Sequence, residues 1–67
     1  MTGTIKWFNA TKGFGFVSPD EGGMDVLVHI SALEKCGIFE KELDGKRVSF
    51  EIVNNRGRDA ADNLKLI

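Results

Sequence analysis

This sequence predicts an all-β domain, a small closed barrel of five antiparallel strands. Five short segments rich in β-forming residues alternate with turn clusters, and no segment is long enough for a helix that stands alone. Size adds a constraint. At 67 residues the chain is one small domain, residues 1–67. An open sheet this short would leave unprotected strand edges, and closing it as a Greek key removes most of them.

Residues 3–10, GTIKWFNA, read as the first strand and run into the turn Asn-Ala-Thr-Lys-Gly. FGFVSP, residues 14–19, is the second, closed by Pro19, which cannot donate to a ladder. DEGG, residues 20–23, is a turn. MDVLVHI, residues 24–30, is the third strand, with Val26 and Val28 on one face and Asp25, Leu27 and His29 on the other. SALEK opens one helical turn, with Ser31 as N-cap and Glu34 three residues later. Residues 36–45 are a long loop ending in the turn Asp44-Gly45. KRVSFEIV, residues 46–53, alternates with Val48, Phe50 and Ile52 inward and Ser49 and Glu51 outward. NNRGRD is a turn, and AADNLKLI is the last strand, with Leu64 and Leu66 inward.

The inward set is then Ile5, Val17, Val26, Val28, Leu33, Val48, Phe50, Ile52, Leu64 and Leu66. It fills a small barrel without Phe14 or Phe16. Val17 shares parity with Gly13 and Gly15, so the glycines face inward, where a barrel strand bends and has no room. The phenylalanines face out. Exposing them forgoes roughly 1.5–3 kcal/mol of burial apiece, from a net stability of ~5–15 kcal/mol. A contiguous aromatic patch of this kind marks a binding surface.

Composition excludes several functions. Cys36 is the only cysteine, so no disulfide forms, and a lone thiol suits a reducing cytoplasm. Cys36 reads as a bystander. One His and one Cys do not make a tetrahedral metal site without several carboxylates, and no cofactor is implied. The opening MTGTIKWFNATKG has no apolar signal-like run, and the longest apolar run is Val26-Leu27-Val28, so no membrane span is expected. His29 has no nucleophile or paired base in any recognisable motif, so the chain does not read as an enzyme.

Net charge is −1, which does not advertise a nucleic-acid binder, but its distribution does. Before Asp20 the only charged side chains are Lys6 and Lys12, and four of the six aromatic residues share that stretch. Lys12-Gly13-Phe14-Gly15-Phe16-Val17 matches the first six positions of the RNP1 pattern. Aromatic platforms of this type hold bases by stacking at ~1–3 kcal/mol each, while nearby lysines hold phosphates. An RNA-recognition-motif fold is excluded: it needs two packed helices, and its RNP2 strand precedes RNP1, whereas the candidate VLVHI follows it here.

GTIKWFNATKGFGFVSPDEGG, DVLVHISAL, GKRVSFEI and the closing AADNL together resemble the bacterial cold-shock proteins of the single cold-shock-domain type. The resemblance covers essentially the whole chain. It implies a five-stranded Greek-key β-barrel of the OB-fold type that binds single-stranded RNA and DNA with low sequence specificity. It also implies a cytoplasmic RNA chaperone that acts on transcription and translation. Carried over by position, the stacking residues fall on Trp7, Phe14, Phe16 and His29. The polar contacts fall on Lys6, Lys12 and Asp25. Leu27 and Ile30 stand where the family often has phenylalanine. The loop from Glu34 to Asp44 is longer than in shorter members, so either Phe39 or Ile38 fills its stacking position, Phe39 being the better on chemistry. Arg56 is the basic contact near the last loop, with Arg58 beside it. Lys46 and Arg47 read as a solvated strand start. The expected partners are pyrimidine-rich single strands, which lose less self-stacking when splayed out, and the expected state is a monomer.

Overall fold

The computed structural model describes residues 1–40 and 42–67. Its strands are β1 (Thr2–Asn9), β2 (Phe14–Pro19), β3 (Val26–His29), β4 (Arg47–Asn55) and β5 (Arg58–Leu66), with a single short helix α1 (Ile30–Lys35) between β3 and β4. The strands close in the order β1-β2-β3-β5-β4. β1 pairs with β2 and β4, β2 with β3, and β4 with β5, all antiparallel. The closing seam between β3 and β5 is parallel and is held at Leu27 and Ala60. This is the small OB-type barrel that the turn spacing predicts.

The core consists of Ile5, Val17, Val26, Val28, Leu33, Leu43, Val48, Phe50, Ala61 and Leu64. Two expectations about it are corrected. Ile52 is 40% exposed, although the alternation of β4 assigns it inward. Alternation buries a side chain only while an opposite wall covers it. β5 pairs with β3 only at Leu27 and Ala60, and Ile52 lines an open cleft with Met24 and Leu27. Leu66 packs against the core but stays partly exposed at the end of β5. Leu43 and Ala61 take up the volume. Leu43 belongs to the long loop and has no periodic neighbours to announce it.

Further boundaries differ from the sequence pattern: the turn expected at residues 54–59 narrows to Arg56 and Gly57, because β4 runs to Asn55 and β5 starts at Arg58. β3 is shorter than residues 24–30: its pairing with β2 stops at Val26, beyond which β2 pairs only with β1. Met24 is 90% exposed in the connection. At the other end Ile30 is already helical. The N-cap of α1 is His29, not Ser31. His29 keeps an extended backbone (φ −96°, ψ 150°), and its ring accepts the Ser31 N–H.

Candidate nucleic-acid interface

Gly15 explains how β1 and β2 come together. A Cβ there would lie 2.2 Å from the Trp7 carbonyl oxygen and 2.7 Å from the Phe8 Cα. Only glycine lets the two backbones approach so closely. Gly13 is not a strand residue but ends the turn after β1, at φ +80°. The Asn9 side chain accepts the Lys12 N–H at 2.9 Å, and the Asn9 carbonyl accepts that of Gly13 at 2.8 Å, which fixes this turn.

Trp7 reaches the outer surface by a register shift. Ile5 pairs with Val17 and Trp7 with Phe16, so Lys6 is the extra residue of a β-bulge. In an unbroken strand Ile5 and Trp7 would share a face. The bulge leaves Ile5 fully buried while Lys6 and Trp7 both face solvent, Trp7 being 37% exposed.

On β2, Phe14 and Phe16 are half-buried on the outer face, as their parity predicts, while Gly15 and Val17 are buried. Trp7 lies against both phenylalanines, with ring centroids at 5.6 Å from Phe14 and 5.4 Å from Phe16. The two phenylalanine rings are 6.3 Å apart. All three contacts are edge-to-face, with interplanar angles of 66°, 62° and 87°. This is the preferred geometry for packed aromatics. It also presents ring faces in different directions.

β3 extends the platform. Leu27 pairs across from Phe16 and His29 across from Phe14. Leu27 is half-buried and His29 exposed. Lys6 Nζ lies 3.1 Å from the Asp25 carboxylate, so these two residues form one ion pair at the rim. Lys12 is exposed in the turn. Arg56 is exposed in the β4–β5 turn, where Arg56 and Gly57 both have positive φ (55° and 81°), as in a type I′ hairpin. Arg56 and Arg58 line a cleft with Leu27, His29, Ser31 and Ala60. Among the described residues, no carboxylate pairs with Lys12, Arg56 or Arg58.

Ile30 and Phe39 are not part of this cluster. They line a separate groove with Phe8, Leu33, Ile38 and Leu43. Phe39 is 72% exposed, whereas Ile38 packs partly against the core. The sequence pattern ends the third strand at Ile30, but α1 begins there and brings the Ile30 side chain beside Gly13. Pattern reading missed Met24 and Ile52, which form the apolar end of the cleft beside Phe16 and Leu27. Alternation assigns Ile52 to the core, and Met24 lies in a connection that the sequence pattern extends into β3.

Among the described residues, four of the ten acidic side chains form ion pairs: Asp20, Asp25, Glu40 and Asp62. Arg47 grips Asp20 with both guanidinium nitrogens, the longer bond being 2.7 Å, and Thr2 donates to the same carboxylate at 2.7 Å. Those bonds hold the Asp20 carboxyl well below its ordinary range, at about 2. Arg47 is therefore more than a solvated strand start. Asp62 is lowered by the Lys35 ammonium and by the Asn63 N–H. Among the described residues there is no cluster of three metal-binding side chains, and no helix is long and apolar enough to cross a membrane.

Comparison with known proteins agrees with this architecture. The model of the 'Cold-shock' DNA-binding domain matches residues 1–67. A probable cold shock protein, y4cH, of Sinorhizobium fredii is 58% identical over 66 residues, 96% of this chain and 94% of the relative. The cold shock-like protein CspD of Bacillus cereus is 54% identical over 66 residues, 97% of each chain. The cold shock-like protein CspE of Escherichia coli K12 is 48% identical over 67 residues, 98% of this chain and 96% of the relative. Members of this domain family bind nucleic acid and are not enzymes. With a family match along its full length and relatives this similar, the chain belongs to the cold-shock domain family.

Proposed function

We propose that the chain binds single-stranded RNA and DNA by stacking bases on the outer face of β1, β2 and β3. The carrying observation is the edge-to-face cluster of Trp7, Phe14 and Phe16 on the outer surface. The rings stand at steep angles to one another, so bases stacked on them cannot also stay stacked on each other. A splayed single strand meets that condition and a duplex does not. His29 adds a fourth ring, and Leu27 supplies an apolar contact without a π-face. Lys6, Lys12 and Arg56 hold phosphates, and Asp25 accepts from base edges. Ile30 and Phe39 take a nucleotide in the neighbouring groove. Stacking does not read sequence, so the protein holds many strands open, as an RNA chaperone acting in the cytoplasm as a monomer would.

Fluorescence titration tests this directly, because Trp7 is the only tryptophan. Hexathymidylate should quench its emission strongly, and a duplex of the same length should not. Three phosphate-neutralising side chains predict a log–log salt slope of about −2, at roughly 0.7 per phosphate. Equal affinity for duplex, or emission indifferent to the oligonucleotide, would refute the reading.

A further inference from the structure

His29 lies where the proposed base-stacking face meets the start of α1, and its ring is held on one side. Its Nδ1 accepts the Ser31 N–H at 3.2 Å, and the Ser31 hydroxyl lies 2.9 Å from the same nitrogen. A backbone N–H can only donate. In the neutral ring this makes Nδ1 the acceptor, so the Ser31 hydroxyl donates to it and the ring proton sits on Nε2. Both bonds come from one residue two positions along the chain, so they fix the ring's direction as well as its tautomer. We infer that Ser31 is a positioning residue for nucleic-acid binding: it holds the His29 imidazole as a fixed stacking plate whose Nε2–H is a donor at the cleft shared with Arg56 and Arg58.

The inference rests on the stacking role proposed for His29. A free imidazole on an exposed strand end would sample several rotamers and both neutral tautomers, and binding would have to select one. Ser31 removes that selection before the strand arrives. Ser31 also lies in the first turn of α1, so its N–H bond to the ring is the one that caps the helix.

The test uses the imidazole nitrogen spectrum of the intact protein, which is unambiguous because His29 is the only histidine. Spectra of the free protein and affinities for hexathymidylate are compared for wild type, Ser31→Ala and Ser31→Thr. Wild type should show an unprotonated, hydrogen-bonded Nδ1. Ser31→Ala should move the Nδ1 resonance towards its unbonded position and weaken binding about threefold to tenfold, the loss of one modest hydrogen bond. Ser31→Thr, which keeps the hydroxyl, should restore both. Alanine suits a helix, so the Ser31→Ala variant should stay folded. A proton on Nδ1 in wild type overturns the inference. So does an alanine variant whose Nδ1 resonance stays in place, or one whose resonance moves while affinity does not. If wild type fails to bind hexathymidylate at all, the stacking function itself falls with it, and the free-protein spectrum still reports separately whether Ser31 holds the ring.

Discussion

Phe14 and Phe16 are expensive residues to leave half-exposed, and their substitution separates a binding role from a packing role. Phe14→Ala and Phe16→Ala should each weaken oligonucleotide binding by about 1–3 kcal/mol. Val28→Ala, inside the barrel, should cost about 2 kcal/mol of stability through the lost burial and the cavity. Denaturant melts of the three variants check the ordering: if the phenylalanine variants unfold more easily than Val28→Ala, the aromatic cluster is core. Leu27 offers the opposite experiment. It pairs with Phe16 and borders the cleft with Met24 and Ile52. A phenylalanine there would add a π-face beside the existing rings. Leu27→Phe should tighten single-strand binding by about 0.5–1.5 kcal/mol and leave thermal stability nearly unchanged. Weaker binding, or a substantial gain in melting temperature, would make Leu27 a packing residue.

The platform depends on how β1 and β2 are joined. Two irregularities shape it: the bulge at Lys6 and the close approach at Gly15. The bulge lets one strand send Ile5 into the core and Trp7 out of it. Gly15 lets the β1 backbone lie where a side chain would otherwise stand. Gly15→Ala must push a methyl group into the Trp7 carbonyl and the Phe8 backbone, neither of which can swing aside. It should destabilise the fold by about 3 kcal/mol, at the upper end for overpacking. Because the displaced backbone carries Trp7, tryptophan emission should change in the same variant. An alanine variant as stable as wild type would mean that β1 and β2 can separate without loss. A second bulge lies in β5, where Asn63 adopts φ 49° and the register with β4 slips between Ser49 and Glu51. It lets Leu64 and Ala61, three residues apart, both face the core.

Across the fold, four ion pairs join acidic and basic side chains among the described residues. Lys6–Asp25 lies at the rim of the aromatic face, and the others couple Asp20 to Arg47, Asp62 to Lys35 and Glu40 to Lys46. The Asp20 pair also ties β2 to β4 around β1, because Thr2 and Thr4 join the same network. Its pH consequence has a definite sign. The folded Asp20 carboxyl titrates at about 2, below the ordinary aspartate value of roughly 3.9. The folded state therefore binds the proton less readily than the unfolded chain. The contribution is fully present above about pH 4 and is lost as pH falls towards about 2. Asp20→Asn should flatten the acid limb of the stability curve between those values and leave a smaller slope from Asp62, whose carboxyl is also lowered. Chemical melts from pH 2 to pH 6 check this; an unchanged acid limb would show that the pair contributes nothing in solution.

Much of this protein could be read from its residues. Strands of alternating character, turn clusters and the lack of a long helix specify the five-stranded barrel, because side-chain parity and turn chemistry are local properties. The same parity places Phe14, Phe16, Leu27 and His29 on one outer face. Where parity fails for Trp7 and Ile52, the reason is non-local. Trp7 shares parity with Ile5, and only the bulge at Lys6, set by the pairing with β2, separates them. Ile52 alternates like a core residue but lacks a wall opposite it. Leu43 sits in a loop with no period, yet the closing chain folds it into the barrel. Ser31 looks like a helix cap, and His29 takes that place because an extended backbone and a ring nitrogen meet at the end of β3. Sequence by itself determined the strands and the outer faces of β2 and β3. Bulges, wall coverage and strand closure, which depend on partners distant in the chain, decided which of them meet.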